Sequence, residues 1–113
     1  MKLRIDPKKI SFRLDLDELE QLLEQGEIEE NTALPVGHIR YRVTRLPAGS
    51  PPKFQADPSG YHLSLARNIL EDHKAALPSL KGIVCVFATE KSGQINVALE
   101  INLKKKLKHK LEL

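Results

Sequence analysis

The sequence predicts an α+β fold: a single antiparallel, strongly curved sheet of about seven or eight short strands with two helices. Three observations carry this. Several segments alternate apolar and polar residues with period two, two segments place apolar residues at helical spacing, and turn-length links join them. Helices do not alternate regularly with strands, so a doubly wound fold is not expected.

Residues 2–5 and 9–14 put Leu3, Ile5, Ile10, Phe12 and Leu14 on one side and Lys2, Arg4, Lys9, Ser11 and Arg13 on the other. Asp6-Pro7-Lys8 between them is a turn, which makes a hairpin. Asp15 then stands as a helix N-cap with Glu18 three residues on, and Leu16, Leu19, Leu22 and Leu23 follow at helical spacing until Gly26, predicting a helix over 16–25. Ile28 to Leu34 reads as a short strand, broken at Pro35-Val36-Gly37, and His38 to Leu46 as a strand with Ile39, Tyr41 and Val43 opposite His38, Arg40, Arg42 and Thr44.

Residues 47–52 hold three prolines and a glycine and form a loop. Phe54 to Ala56 can pair with Tyr61 to Leu65 across Asp57-Pro58-Ser59-Gly60. A second helix is predicted over 67–77, burying Ile69, Leu70, His73 or Ala76, and Leu77. Ile83 to Phe87 is apolar on both faces, the pattern of a strand in the middle of a sheet. The last strand alternates Ile95, Val97, Leu99, Ile101 and Leu103 with Asn96, Ala98, Glu100, Asn102 and Lys104. No internal repeat is apparent.

At 113 residues the chain has the length of one domain, read as a single α+β domain over 1–103 with a Lys-rich C-terminal extension over 104–113. The single cysteine, Cys85, cannot form an intramolecular disulfide, and no Cys/His pair has zinc-ligand spacing, so no metal or other cofactor is expected. No signal peptide is expected, no apolar run nears the ~18 residues of a membrane span, and a cytoplasmic location is expected.

The net charge of +3 conceals two opposed regions. Residues 15–30 carry eight acids and no base, whereas the rest of the chain carries 18 bases against seven acids. Early acids suit the helix dipole, and the run could also dock a basic partner or another copy. Lys2, Arg4, Arg13, Arg40, Arg42 and Lys104 fall on the outward side of the predicted strands, and adjacent strands would gather them into one cationic face. Arg4, Arg13, Arg40, Arg42 and Lys104 are therefore the candidate anion-binding residues, since guanidinium forks suit phosphate and carboxylate oxygens. The tail from Lys104 to Lys110 adds lysines that could touch an anionic surface.

Four of the five aromatics fall on inward positions, so a base-stacking surface is not expected and nucleic acid is a weakly supported partner. Cys85 reads as a buried small hydrophobe and His73 as a boundary residue. His38 and His62 could meet if their strands pair, but no carboxylate is placed to orient them. Glycine-rich phosphate loops and nucleophile elbows are absent, and no catalytic residue is assigned.

Met1-Lys2-Leu3-Arg4-Ile5, Ser11-Phe12-Arg13-Leu14, the acidic helix start Asp15-Leu16-Asp17-Glu18-Leu19-Glu20, the segment 26–32 and the strand Leu99 to Lys104 together resemble a family of small bacterial proteins of unknown function. The resemblance covers about 1–34 and 95–105 and implies a fold, with no activity attached. The family often follows the last strand with a lysine, an aromatic and a cysteine, whereas this chain has Lys104-Lys105-Lys106-Leu107. Glu100, Asn102 and Lys104 are also similar to the acid-x-acid-x-lysine strand of triphosphate tunnel enzymes, with Asn102 where the second acid would stand and the strand at the opposite end of the chain. The resulting expectation is a binding domain without catalysis, contacting an anionic ligand or a protein partner through a basic sheet face, with a homodimer as a further arrangement. The alternative is an enzyme or carrier for a phosphorylated small molecule in a barrel-like cavity.

Overall fold

A computed structural model of the chain describes residues 1–79 and 81–103. The order of elements is β1 (Lys2–Asp6), β2 (Lys9–Asp15), α1 (Leu16–Gln25), β3 (Glu27–Ala33), β4 (His38–Leu46), β5 (Lys53–Asp57), β6 (Gly60–Ala66), α2 (Arg67–Ala75), β7 (Ile83–Ala88) and β8 (Gln94–Asn102).

Local chemistry explains the element boundaries. The Asp15 carboxylate accepts the Glu18 backbone N–H at 2.8 Å, and the Glu18 carboxylate accepts the Asp15 N–H at 3.0 Å, which closes a capping box at the start of α1. Gly26 ends the helix in the left-handed region at φ 87°, its N–H bonded to the Leu22 carbonyl at 2.9 Å. The last turn of α1 has no basic residue of its own. Arg45 of β4 reaches across and donates to the Leu23 carbonyl, which sets a cation at the negative end of the helix dipole. The second helix ends at Ala75, short of the expected 77, and its N-cap Ala66 offers no side-chain acceptor. Leu70 is its one fully buried side chain, and Ile69, expected inside, is 41% exposed.

The strands form two four-stranded sheets rather than one antiparallel sheet. Sheet A runs β1-β2-β8-β7 and sheet B runs β3-β4-β6-β5, and neither closes nor curls strongly. The turn-linked hairpins β1β2, β3β4, β5β6 and β7β8 are antiparallel, as the alternation implied, but each sheet joins two hairpins through a parallel central pair, β2 with β8 and β4 with β6. That joining is non-local and leaves no trace in alternation. It also makes β8 a central strand and β7 an edge, against the expectation that Ile83 to Phe87 lies mid-sheet.

The pairing scheme reveals an internal duplication that the residue identities conceal. Residues 2–46 and 53–102 contain the same ββαββ order, the second beginning 51 positions later: Lys2 corresponds to Lys53, Asp6-Pro7 to Asp57-Pro58, Leu14 to Leu65 and Leu19 to Leu70. The later hairpins correspond too. Phe12 pairs with Leu99 and its counterpart Leu63 with Val43, while Val43 pairs with Ile28 and Leu99 with Ile83. Each sheet thus combines the first hairpin of one unit with the second hairpin of the other, so neither unit holds a complete sheet.

The inner faces of the two sheets share one core. Phe12, Leu14, Leu19, Leu22, Val43, Leu63, Leu65, Leu70, Val97 and Leu99 are fully buried. Phe54 of sheet B stands between two rings of sheet A, with its centroid 6.3 Å from Phe12, edge-on, and 6.1 Å from Phe87. Helix α1 packs against strands of both sheets and α2 against β6 and α1. With apolar side chains filling the space between the sheets, charged side chains on the opposite parity of each strand are left on the two outer faces.

Candidate functional site

The expected single cationic face divides between the two sheets. Arg4 and Arg13 stand on the outer face of sheet A, Arg40 and Arg42 on that of sheet B, and Lys104, like the rest of the lysine tail, lies outside the described residues. The strand parity of these four arginines is as expected, but β1 and β2, which carry Arg4 and Arg13, belong to one sheet and β4, which carries Arg40 and Arg42, to the other. The four arginines therefore do not converge on a single cavity.

Each of them meets a carboxylate. Arg4 Nε lies 3.2 Å from Asp6, Arg13 Nε 3.7 Å from Glu100, Arg40 Nε 3.0 Å from Glu29 and Arg42 Nη1 3.2 Å from Glu27. The opposed charge regions of the sequence are in large part matched within the chain. The antiparallel register of β3 on β4 sets Glu29 opposite Arg42 and Asn31 opposite Arg40, so the glutamates reach the arginines diagonally. Glu20 of α1 pairs with Lys74 of α2 at 3.8 Å, and Glu18 and Glu30 both face the Met1 amine.

On sheet B the outer face centres on His62 of β6, whose strand partner is Arg42. Arg42 Nη2 lies 3.2 Å from His62 Nδ1, and Nε2 lies 2.7 Å from Thr44 Oγ1 and 3.3 Å from Ser64 Oγ. A guanidinium only donates, so Nδ1 must accept, and the ring proton sits on Nε2 and points to the two hydroxyls. In this tautomer His62 has no lone pair aimed at Thr44 or Ser64 and cannot take a proton from either. Burial, and after it the Arg42 charge, hold the His62 pKa below the ordinary imidazole value, which keeps the ring neutral. His38 does not join it: the position opposite His62 is Arg42, four residues along β4, or about 13 Å of strand.

Beside His62 a shallow cleft of about 70 Å³ is lined by Arg40, Arg42, Gln55, Asp57, Ser59, Gly60, Tyr61 and His62. Asp57 belongs to the turn: it accepts the Ser59 hydroxyl and the Ser59 N–H, which together lower its pKa. Across this face Arg40, Arg42 and Lys53 are balanced by Glu27, Glu29 and Asp57, so an approaching anion meets no excess of positive charge.

Sheet A differs. Along β1 and β2 the outer face holds Lys2, Arg4, Lys9 and Arg13, with Asp6, Asp15 and Glu100 as the nearby acids, Asp15 being engaged in the cap of α1. Ser11 and Ala98, directly paired, are small side chains at 3% and 1% exposure on the floor between β1 and β7. Beyond them Val84 and Val86 of β7 are 52% and 56% exposed. Alternation had assigned the bases correctly, whereas the valines were missed because β7 was read as an interior strand. Cys85, on the opposite parity of β7, packs against the core, and burial raises its thiol pKa.

A family of unknown function, DUF7009, matches residues 1–105. The chain belongs to this family. The match bears out the resemblance to a family of unknown function and covers the middle of the chain as well as the two ends that carried it. No curated protein matches the chain. Among the described residues no helix is long and apolar enough to cross a membrane, and no group of His, Cys, Asp and Glu is placed to hold a metal ion.

Proposed function

We propose that this DUF7009 member is a small binding domain that docks an acidic segment of a partner protein on the outer face of sheet A. One observation carries the reading: that face places four bases, Lys2, Arg4, Lys9 and Arg13, against three acids, Asp6, Asp15 and Glu100, with the Asp15 carboxylate engaged in the α1 cap, beside the exposed apolar pair Val84 and Val86. The ion pairs already present there are weak obstacles. Arg4 is 64% exposed in its pair with Asp6, and exposed pairs contribute about 0–1 kcal/mol, so a partner carboxylate can replace them. An extended polypeptide with acidic and apolar side chains would satisfy both halves, its carboxylates on the guanidinium forks and its apolar groups on the valines.

Nucleic acid fits this face less well. Stacking bases needs exposed rings, whereas Phe12, Phe54, Phe87, Tyr41 and Tyr61 all pack in or against the core. The basic side chains would steer the partner and set its on-rate, an effect that fades as salt shortens the Debye length to about 8 Å at physiological ionic strength.

The test is fluorescence anisotropy with a labelled peptide that alternates glutamate and leucine, set against a single-stranded oligonucleotide of equal charge. The expected result is peptide binding that weakens with salt and is lost in the Arg4→Glu/Arg13→Glu double variant but kept in Arg40→Glu/Arg42→Glu. Tighter binding of the oligonucleotide, or peptide binding indifferent to Arg4 and Arg13, would overturn the proposal.

A further inference from the structure

We infer that β7 is the seam of a homodimer, in which a second copy of the chain adds its own β7 antiparallel to the first and extends sheet A into a continuous eight-stranded sheet. The inference concerns the edge of the sheet and does not depend on the acidic partner proposed above.

Four strands lie at sheet edges, β1 and β7 in sheet A and β3 and β5 in sheet B. Three of them are guarded by charge: β1 by Lys2, Arg4 and Asp6, β3 by Glu27, Glu29 and Glu30, β5 by Lys53 and Asp57. β7 reads Ile-Val-Cys-Val-Phe-Ala and carries neither a charge nor a proline. Natural edge strands are protected by such residues because their unpaired N–H and C=O groups otherwise recruit further strands. Among the described residues nothing pairs with the outer side of β7.

Burial around β7 is also incomplete on both faces. Val84 and Val86 are more than half exposed on the outer face, and Ile83, Cys85 and Phe87 are only partly buried on the inner one. In the neighbouring central strand β8, by contrast, Val97, Ala98 and Leu99 are fully buried. Another strand beside β7 would cover the flanks of both rows and leave the outward side of the valines open.

Self-complementarity selects a second copy as that strand. In an antiparallel pair centred on Cys85, Val84 faces Val86 of the other copy twice on the outer face and Ile83 faces Phe87 twice on the inner face. Apolar and β-branched cross-strand pairs of this kind stabilise sheets. The same two-fold sets Lys81 of each copy opposite Thr89 of the other, so no like charges are paired directly along the seam. A β3 to β3 seam would instead set glutamates against glutamates. The dimer would present the two cationic β1β2 hairpins at opposite ends of one sheet.

The test is sedimentation of the full chain across a wide concentration range, with hydrogen exchange as a local readout. The expected result is a concentration-dependent monomer–dimer equilibrium in which the β7 amides gain protection as the dimer forms. Val86→Lys, on the exposed face, is expected to remain folded by circular dichroism and to be monomeric throughout, and Val84→Thr provides a milder variant should the lysine disturb folding. The Arg4→Glu/Arg13→Glu variant should dimerise normally, which separates this result from failure of the acidic-partner reading. A wild-type chain that stays monomeric at all concentrations, a Val86→Lys chain that dimerises as well as wild type, or β7 amides protected by the acidic peptide and not by concentration would each overturn the inference.

Discussion

Protonating His62 should destabilise the fold, and its hydrogen bonds set the sign and size of the effect. The neutral ring accepts from Arg42 at Nδ1, 3.2 Å away, and donates from Nε2 toward Thr44. A proton on Nδ1 replaces an acceptor by a donor facing a donor and sets two positive charges about 4 Å apart. At that distance two unit charges interact by about 1 kcal/mol in water and about 4 kcal/mol at a dielectric of 20. His62 is half-buried and Arg42 can turn fully onto Glu27, so the lower end applies, about 1 kcal/mol after solvent screening. The folded-state pKa is depressed, so the unfolded chain binds the proton more readily. The stabilisation is therefore present above the ordinary value of about 6.5 and is lost as the pH falls through the lower folded value. Thermal melts between about pH 8 and about pH 5.5 should show this loss, roughly 4–8 °C in Tm per kcal/mol for a chain near this size. His73 is also depressed by burial and acts in the same direction, so His62→Gln and His73→Gln must be compared. In His62→Gln most of the His62 share should vanish, because the amide can still accept from Arg42 and donate to Thr44. The reasoning is refuted if His62→Gln keeps the full acid sensitivity, if the ring titrates at or above 6.5, or if nitrogen NMR finds the proton on Nδ1.

The remaining predictions concern the frame that holds these faces. Leu19→Ala and Leu70→Ala remove corresponding, fully buried anchors of the two helices and should each cost about 2–5 kcal/mol in urea unfolding. Asp15→Ala deletes the cap of α1 and should cost about 1 kcal/mol, read from the same denaturation curves. Gly60→Ala should be more damaging than a surface change, by about 1–3 kcal/mol, because φ is +135° and an added Cβ would stand 1.9 Å from the Arg40 carbonyl oxygen; a drop in denaturation midpoint measures it.

What was legible in the sequence was whatever a local rule determines. Asp15 with Glu18 and Gly26 bounded α1 at 16–25, and alternation in His38 to Leu46 put Arg40 and Arg42 outside and Val43 inside. What was hidden depends on which distant strands meet. Ile83 to Phe87 is apolar on both faces, and that pattern is the same whether the outer row is covered by protein or left open, so β7 could not be told from a central strand. Arg13 and Arg42 were each placed outward correctly, but nothing local says that β2 joins β8 while β4 joins β6. The duplication escaped for a related reason. Leu63 can stand for Phe12 and Ser64 for Arg13 without disturbing the pairing, so few identities besides Lys53, Asp57, Pro58, Leu65 and Leu70 survive in the second unit.

The duplication turns each sheet into a control for the other. Where sheet B has His62, Ser64, Arg42 and Thr44 locked together by hydrogen bonds, the corresponding positions of sheet A are Ser11, Arg13, Ala98 and Glu100. The central strands pair in the same register, so the comparison is between side chains at equivalent positions, and the differences run in opposite directions. Sheet B joins its polar groups to one another and balances its charges, so little remains to bind anything else. Sheet A has exchanged the central histidine and arginine for a serine and an alanine, which open a floor between the bases of β1 and β2 and the exposed valines of β7. Exchanging the pairs tests whether this difference confines binding to one face. Ser11→His with Ala98→Arg should fill the floor of sheet A and weaken the acidic peptide without unfolding the chain, whereas His62→Ser with Arg42→Ala on sheet B should leave peptide affinity unchanged. Equal losses from both exchanges, measured by the same anisotropy titration, would mean that the two faces act together and that the sheet A assignment is wrong.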